Sequence, residues 1–277
     1  MSVVVSAIMA TYNGAEFIAA AVDGILAQTF SDWELIIVDD GSTDDTAAVL
    51  GRYRDPRISV HSLPANVGRA AARNVALGLA RGRYIALADS DDISLPDRFA
   101  VEVAYLEGHP EVDVVACQMQ YFWGDAPPRD GFRFPEDPDA IRRRFASGRM
   151  AVAHGAALIR AECFRRHGGY AAECRRAEDL EFFLRIHRAC VFRTLPEVFY
   201  LYRHEPRAVP LRKWMETAAY SKFASYRAGA LLAGTAPVSY AEFSRRPSQR
   251  LSLWTAELAR FLRYALLRYL RPDRRLR

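Results

Sequence analysis

Strand-like and helix-like patterns alternate from residue 3 to about residue 117, and this alternation limits the possible fold more than any other feature. The strand-like runs are short and apolar, whereas residues 17–26 repeat apolar side chains at helical spacing. A strand, helix, strand order makes successive strands parallel and packs the helices on the faces of the sheet. The sequence therefore predicts an α/β fold with a mostly parallel central sheet flanked by helices.

The chain has 277 residues, 51% of them hydrophobic, which is enough for a sizeable core. Its start, MSVVVSAIMA, has no basic region, so we interpret it as a first strand and not as a signal peptide. No apolar run has the length of a membrane-spanning helix. Cys117, Cys163, Cys174 and Cys190 show no CxxC or metal-ligand spacing, which favours reduced thiols in a cytoplasmic protein over disulfide bonds.

The positive charge is concentrated at one end of the sequence. Residues 251–277 contain seven arginines against Glu257 and Asp273, an excess equal to the whole net charge of +5. The first 250 residues are then close to neutral, which argues against a nucleic-acid-binding face.

The sequence contains no internal repeat and no low-complexity linker. We expect one domain over residues 1–205, divided into a nucleotide-sugar-binding half (1–117) and an acceptor-binding half (118–205), followed by a helical C-terminal extension at 206–277. Residues 123–139 are rich in Pro, Gly and Asp, which predicts a loop.

The segment IALADSDD, residues 85–92, leads from a strand-like run directly into Asp89, Asp91 and Asp92. Ligands of open α/β sheets bind beyond the carboxyl ends of strands. Mg²⁺ is commonly held there by one or two carboxylates together with substrate phosphates. The alternative is that Asp91 or Asp92 caps a helix predicted at 95–106, but a cap needs only one carboxylate.

Three further patches come at the ends of predicted strands or at a helix start: ATYNG (10–14), VDDGSTD (38–44) and NVGRAAARN (66–74). Tyr12 offers a flat face on which a nucleobase could stack. Asp39 can accept a hydrogen bond from a uracil imide or from ribose hydroxyls, and Arg69, with Arg73 as a second candidate, can place positive charge near a diphosphate. Taken alone, VDDGSTD is as consistent with a turn that caps a helix beginning near Thr43 as with a binding site, and NVGRAAARN alone favours a solvent-facing helix with two ordinary arginines.

In this order and spacing, the four motifs resemble the inverting glycosyltransferases of family two, over residues 3–110 and more weakly over 154–205. The resemblance implies the GT-A fold, a Rossmann-like nucleotide-binding domain, and a Mn²⁺ or Mg²⁺ ion held by Asp89 and Asp91. It implies that Ala10, Tyr12 and Asp39 contact the nucleobase and that Arg69 reaches the base or the phosphates. The full donor-binding set that it implies is Ala10, Tyr12, Asn13, Asp39, Asp40, Gly41, Asn66, Gly68, Arg69, Asp89 and Ser90.

RAEDLEFFLRI, residues 176–186, resembles the acceptor-side ED motif of the same family. On that resemblance Asp179 is the general base, Glu178 orients Asp179 or holds the acceptor, and His154 and His204 face the acceptor or the diphosphate. The alternative is that the two acids simply favour the positive end of a helix dipole and that the histidines are structural. The position of the pair, beyond DSDD and behind a Gly-Gly-Tyr turn, favours the catalytic interpretation.

The sequence departs from the family pattern in two places. Ala10 stands where the family often has proline, which changes the stiffness of the loop and removes no chemical group. Residues 118–153 match no pattern, and we expect sugar and acceptor preference to depend on them.

The predicted helix at 251–271 is basic and amphipathic, with Trp254 and Tyr269 on its apolar face and Arg260 and Arg263 opposite. Such a helix can lie in a membrane interface, where anionic lipid attracts arginine. This would place the protein at the inner face of the cytoplasmic membrane. The alternative is a helix packed on the catalytic domain or on a second copy in a homo-oligomer.

Together these features predict a metal-dependent inverting glycosyltransferase. It would move a sugar from a nucleotide diphosphate sugar, with UDP expected, to a saccharide or lipid-linked acceptor in cell-surface polysaccharide or glycolipid synthesis. One alternative is a nucleotidyltransferase that makes nucleotide sugars, although ATYNG lacks the expected Gly-rich phosphate loop with its Arg and Lys. The other is a non-catalytic sugar-nucleotide-binding scaffold.

Overall fold

The computed structural model describes residues 3–124, 126–204, 210–246 and 260–262. Its strands are β1 (Val5–Thr11), β2 (Trp33–Asp39), β3 (Ile58–Ser62), β4 (Tyr84–Asp89), β5 (Ile93–Ser94), β6 (Val114–Trp123), β7 (Ala126–Asp130), β8 (Ala157–Arg160) and β9 (Phe192–Arg203). Its helices are α1 (Ile18–Leu26), α2 (Thr46–Leu50), α3 (Arg69–Leu79), α4 (Arg98–Gly108), α5 (Pro138–Ala146), α6 (Ala161–His167), α7 (Glu178–Ile186), α8 (Leu211–Leu232) and α9 (Tyr240–Arg245). The chain divides into two units, residues 1–172 with 186–204 and residues 173–185 with 205–277.

The first unit contains one mixed sheet in the order β3-β2-β1-β4-β8-β6-β9-β5, with β7 paired to β6. Strands β3, β2, β1 and β4 are mutually parallel. Strand β8 lies antiparallel between β4 and β6, and β6 runs parallel to β9. The α/β class is confirmed, with parallel pairing concentrated in the first half and mixed pairing in the second.

The core lies around the central parallel strands. All seven residues of β2 are buried, as is typical of strands covered by helices on both faces. Helix α1 packs Ile18, Ala21, Val22 and Ile25 against this core, which the apolar spacing predicts. The carboxyl ends of β1, β2 and β4 therefore meet at one edge of the sheet.

The prediction of a loop throughout residues 123–139 is wrong. Ala126–Asp130 forms strand β7, which pairs with β6 although all five of its residues are exposed. Helix α5 then begins at Pro138, and the carboxylate of its N-cap Asp137 accepts a hydrogen bond from the Ala140 amide at 2.8 Å. Pairing with a long neighbouring strand outweighs the weak local propensity of this segment.

Two predicted helix starts also shift. The helix expected at 95–106 is α4, which begins at Arg98 with Asp97 as its N-cap, so neither Asp91 nor Asp92 caps it. The helix expected near Thr43 is α2, which begins at Thr46. The acidic turn after β2 precedes α2 directly, whereas the short strand β5 lies between the acidic turn after β4 and α4.

The second unit contains α7 to Arg185, α8 and α9. Helices α8 and α9 pack through aromatic rings, with Tyr220 and Tyr240 stacked at a centroid distance of 4.2 Å and Phe223 against Phe243 at 5.4 Å. The predicted amphipathic helix 251–271 lies outside the described residues except for positions 260–262 and stays a prediction, as do the domain boundaries at 205 and 206. No helix in the described ranges is long and apolar enough to cross a bilayer.

Candidate active site

The loops that follow β1 and β2 are tied together by hydrogen bonds. The Asn13 amide donates to Ser42 Oγ at 2.8 Å, and the Asn13 side-chain oxygen accepts from the Thr43 amide at 2.8 Å. Asn13 has a φ of 51°, a left-handed conformation that asparagine tolerates. These bonds leave Tyr12 projecting from the loop with 49% of its surface exposed, where its ring is available for stacking.

Asp39 and Asp40 are both buried at the end of β2, but their carboxylates are engaged differently. Both oxygens of Asp40 accept backbone hydrogen bonds, from Val67 at 2.7 Å and from Gly68 at 2.9 Å. Asp39 Oδ1 accepts from the Ser42 amide at 3.0 Å, and within the described residues Oδ2 of Asp39 has no hydrogen-bond donor. Asp40 therefore fixes the loop before α3, and Asp39 is the carboxylate with capacity for a ligand.

Gly41 is required by the same loop. Its φ is 73°, and a β-carbon there would stand 2.7 Å from the carbonyl carbon of Ala65 and 2.9 Å from the amide nitrogen of Asn66. Gly68, with a φ of 94°, turns the chain into the first turn of α3, where Arg69 lies. The sequence-predicted residues Gly41, Asn66 and Gly68 thus shape the approach to Arg69 through their backbone.

Asp89 ends β4 beside Ala10, its register partner in β1. The guanidinium of the buried Arg73 donates to Asp89 Oδ1, and His154 Nδ1 lies 3.9 Å from Oδ2. Burial alone would raise the pKa of Asp89, but Arg73, His154 and Arg69 together hold it well below its usual range. Asp89 is therefore ionised and already paired with cationic side chains of the protein.

Ser90 leads to two carboxylates in different surroundings. Partial withdrawal from water and the neighbouring charge of Asp89 raise the pKa of Asp91, although its side chain remains accessible to solvent. Burial, followed by the charges of Asp89 and Asp91, raises the pKa of Asp92 to about 8. Three carboxylates within four positions repel one another, and a bound cation would relieve that repulsion.

Two residues of β9 donate hydrogen bonds to the carboxylate of Asp92. Tyr200 donates its hydroxyl hydrogen to Asp92 Oδ2 at 2.9 Å, and the Arg203 amide donates to Oδ1 at 2.7 Å. The Arg203 side chain donates to the Asp91 carbonyl at 2.7 Å while its guanidinium lies 4.4 Å above the rings of Phe17 and Phe122. Asp92 therefore serves to fix the turn that carries Asp91.

Of the two candidate histidines, His154 is the one that reaches the acid cluster. His154 Nε2 lies 3.0 Å from the hydroxyl of Tyr170, and this contact orients the ring beside Asp89. Gly155 allows the close approach, since a β-carbon there would stand 2.8 Å from Asp89 Oδ2. His204 lies beyond the cluster at the end of β9, with its exposed ring stacked on Tyr121 at 5.4 Å.

The carboxylate oxygens of Asp89 and Asp91 are suitable ligands for a hard divalent cation. In the described part of the chain no side chain donates a hydrogen bond to the accessible Asp91 carboxylate, so its oxygens can bind a metal ion. Carboxylate oxygens are the ligands that Mg²⁺ and Mn²⁺ prefer. Asp91 is the stronger candidate ligand, because Asp89 already accepts from Arg73.

Glu178 and Asp179 occupy the first turn of α7 in the second unit. Glu178 is buried, and Asp179 is half-buried with Oδ1 accepting from the Leu180 amide at 2.7 Å. Ala177 immediately before them has a φ of 61°, a left-handed conformation that costs a non-glycine residue about 1–3 kcal/mol. Backbone strain of this kind clusters at functional sites, which marks Glu178 and Asp179 as candidate site residues.

Tyr170, Gly155, Tyr200 and Arg203 are parts of this edge that no sequence motif assigned to it. The local signal for Tyr200 and Arg203 is the string YLYRH at the end of a strand-like run, and Tyr170 belongs to the Gly-Gly-Tyr turn. Tyr200 and Asp92 are 108 positions apart, so only the pairing of β9 with β5 and β6 brings them together.

The comparisons with known proteins agree with this geometry. A family model described as "Glycosyl transferase family 2" matches residues 6–168, more than half of the chain. The chain belongs to this family. The matched range includes the Asp89 cluster, His154 and both loops beside Tyr12 and Asp39.

Two curated relatives of this family 2 glycosyltransferase show the range of similarity. The putative glycosyltransferase EpsE of Bacillus subtilis is 35% identical over 190 residues, 65% of this chain and 66% of EpsE. The UDP-Glc:alpha-D-GlcNAc-diphosphoundecaprenol beta-1,3-glucosyltransferase WfgD of Escherichia coli is 38% identical over 102 residues, 37% of this chain and 40% of WfgD. The matches thus span less than two thirds of the length of each relative.

Solved structures support the GT-A fold. S. aureus TarS 1-349 in complex with UDP matches with a TM-score of 0.63 at 20% identity, covering 93% of this chain and 80% of that one. The mannosyltransferase PcManGT from Pyrobaculum calidifontis, in complex with GDP-Man and Mn²⁺, matches with a TM-score of 0.63 at 22% identity, covering 98% and 75%. The protein is a family 2 glycosyltransferase with the GT-A fold. Its relatives include proteins of polysaccharide biosynthesis. One is the succinoglycan biosynthesis protein ExoO of Rhizobium meliloti, which is 44% identical over 94 residues, 34% of this chain and 27% of ExoO.

Proposed function

We propose that this family 2 glycosyltransferase transfers a sugar from a UDP-sugar to a hydroxyl of a saccharide or lipid-linked acceptor, with inversion at the anomeric carbon. The observation that carries the proposal is the acid cluster at the end of β4. There Asp89 is paired with Arg73 and His154, while the carboxylate of Asp91 remains accessible. Alternating anionic and cationic side chains at one sheet edge suit a diphosphate bound together with a metal ion.

On this proposal Asp91 and Asp89 would hold Mn²⁺ or Mg²⁺. A bound cation would stabilise the negative charge that develops on the departing diphosphate. The protein supplies positive charge of its own at the same edge, since Arg69 acts electrostatically on both Asp89 and Asp91. Arg69 lies in the first turn of α3, where backbone amides also favour an anion.

The nucleoside would lie between the first two loops. The exposed ring of Tyr12 offers a stacking surface, and Asp39 Oδ2 can accept from the base or the ribose. The loop bonds of Asn13 and Asp40 hold these groups in place before the ligand arrives. This preorganisation reduces the entropy lost on binding.

We assign the general base to Asp179. In an inverting transfer, the base takes the proton of the acceptor hydroxyl while that oxygen forms a bond to the anomeric carbon. The bond from the same carbon to the diphosphate oxygen breaks on the opposite face. Support for Asp179 comes from the ED motif and from the strained backbone of Ala177 before it. Glu178, adjacent and buried, would orient Asp179 or hold the acceptor.

UDP is the nucleotide that the similar proteins favour. WfgD is named for UDP-Glc and a diphosphoundecaprenol acceptor, and TarS has been solved with UDP and with UDP-GlcNAc. PcManGT was solved with GDP-Man, which makes GDP the necessary comparison. A lipid-linked acceptor on the WfgD pattern is the macromolecular partner that we propose.

The proposal is tested by isothermal titration of UDP, GDP and dTDP into the protein, each with Mn²⁺ and each with EDTA. We expect UDP to bind with Mn²⁺ and to lose most of its affinity in EDTA or in the Asp91→Ala variant. Arg142→Gln, which replaces an exposed side chain on α5, is the control variant and should bind UDP as the wild type does. Absence of binding by all three nucleotides would contradict the donor assignment and favour a non-catalytic role.

A further inference from the structure

A shallow, open cavity of about 490 Å³ in the first unit has four arginines among its nine lining residues and lies in the segment where the sequence shows no recognisable motif. Arg133, Arg143, Arg144 and Arg149 line it together with Phe132, and no acidic residue is among its lining residues. The volume falls in the range of pockets that bind small molecules, roughly 300–1,000 Å³. Concentrated positive charge in a concave surface attracts anions.

Two of these arginines are fixed in place. Arg144 donates from Nε to the Met150 carbonyl at 2.7 Å, and its guanidinium lies 4.5 Å above the ring of Phe132. Arg133 donates to Glu136 at 3.1 Å and to the Pro196 carbonyl at 3.2 Å. These contacts fix both guanidinium groups at the wall of the cavity, and Glu136 offsets the charge of Arg133 whereas Arg144 keeps its charge.

The other two arginines have no such engagement. In the described ranges of the chain, the guanidinium groups of Arg143 and Arg149 form neither an ion pair nor a hydrogen bond, and both residues are exposed. Guanidinium groups bind phosphate oxygens in a bidentate way, which makes phosphate the anion that suits four arginines best. The cavity therefore has fixed charges and donors that remain available.

The chain also limits the distance from this cavity to the acid cluster. Met150, which accepts from Arg144, is four residues before His154, so their Cα atoms are at most about 14 Å apart. His154 Nδ1 lies 3.9 Å from Asp89 Oδ2. A group of a few sugar units can span such a separation.

We propose that this arginine cavity binds a phosphate or diphosphate group of the acceptor. The proposal rests on the proposed function, because it assigns the anionic part of the acceptor to a site apart from the donor diphosphate. Since residues 132–149 form the cavity, this segment, on which we expect acceptor preference to depend, would select acceptors by their charge.

The test uses inorganic diphosphate titrated in EDTA, a condition in which the proposed donor site binds its nucleotide weakly. Wild type, the Arg143→Gln/Arg149→Gln double variant and Arg142→Gln are compared. Arg142 is the matched control because it lies on the same helix, is exposed and does not line the cavity. We expect at least tenfold weaker diphosphate binding by the double variant and wild-type binding by Arg142→Gln.

Equal binding by the double variant and Arg142→Gln, or no diphosphate binding by wild type, would overturn the proposal. Titration of UDP with Mn²⁺ into the same three proteins separates this failure from failure of the donor assignment, because the cavity variants should bind UDP normally. Geranyl diphosphate and glycerol phosphate then distinguish a lipid diphosphate from a phosphate within a polymer. The probe whose affinity falls more in the double variant identifies the kind of phosphate group that the cavity binds.

Discussion

Gly155 approaches the hydroxyl of Tyr200 so closely that a β-carbon on residue 155 would stand 2.1 Å from that oxygen. The same hydroxyl donates to Asp92, and the β-carbon would also stand 2.8 Å from Asp89 Oδ2. This one contact thus fixes the spacing of the acid cluster against β9. It explains why glycine follows His154.

Replacing Gly155 with alanine should damage the site and the fold together. The added methyl must displace Tyr200 or Asp89, and overpacking of this kind costs about 1–3 kcal/mol of unfolding free energy. We expect a lower melting temperature and at least tenfold weaker Mn²⁺-dependent UDP binding. Urea unfolding and isothermal titration measure the two effects.

Gly78→Ala is the control for that experiment. Gly78 lies in the last turn of α3, and a β-carbon there meets no atom within 4 Å. Alanine is a better helix former than glycine, so the change should not destabilise the fold. Equal behaviour of Gly155→Ala and Gly78→Ala would show that the close contact with Tyr200 has no influence on the site.

Asp179→Asn should separate binding from transfer. The amide cannot accept the acceptor proton, and general base catalysis typically contributes about 10²–10⁴-fold in rate. We expect unchanged UDP affinity and a transfer rate lower by that factor, measured by release of UDP with an acceptor present. Glu173→Gln, an exposed change in the same unit, should transfer at the parental rate. Parental transfer by Asp179→Asn would mean that another group is the base.

Asp40→Asn should weaken nucleotide binding without removing a proposed ligand contact. Asparagine keeps one acceptor oxygen, but its amide nitrogen cannot accept from Val67 or Gly68, so one of these two partly buried hydrogen bonds is lost. Loss of such a bond costs about 0.5–1.5 kcal/mol. We expect lower stability by that amount and faster backbone hydrogen exchange at residues 65–69. Unchanged exchange there would contradict the role given to Asp40.

Glu102 should make the free energy of unfolding fall as the pH rises from about 4.5 to about 7. This carboxyl is fully buried beside Arg98, and burial, only partly offset by Arg98, raises its pKa to about 7. The folded state therefore keeps a proton that the unfolded chain releases near pH 4.5. The stabilisation is fully present below pH 4.5 and declines as the pH rises to about 7, by an amount of the order of 3 kcal/mol.

Urea unfolding at pH 5 and pH 8 tests this expectation. Glu102→Gln mimics the protonated side chain and should lose much less stability between the two pH values than wild type. Glu107→Gln, an exposed change on the same helix, should follow wild type. Parallel pH profiles for wild type and Glu102→Gln would show that Glu102 is already ionised at pH 5.

The first half of the fold could be predicted because its information is local. Each parallel strand is a short apolar run, and the groups at its carboxyl end, such as Asp39 and Asp89, must share one edge of the sheet. The prediction of family and fold is confirmed, whereas the individual roles of these residues stay predictions. The division of work between Asp39 and Asp40 could not be predicted, because it depends on which carboxylate faces the Val67 amide.

The second half escaped prediction because its information is not local. Strand β8 enters the sheet antiparallel between β4 and β6, an order that no periodicity indicates. Strand β7 forms in a Pro-rich segment only because β6 extends beside it. Asp92 was left without a role because its partners, Tyr200 and Arg203, come more than a hundred residues later.

The contact of His154 and Gly155 with Asp89 bears on how such enzymes can be recombined. A chimera that takes all residues after 117 from another family member would replace His154 and Gly155 while keeping the Asp89 that they contact. The part of acceptor preference that depends on residues 118–149 should therefore be transplanted by grafting that segment alone. The recipient's own His154, Gly155 and β9 would then continue to fit its own aspartate.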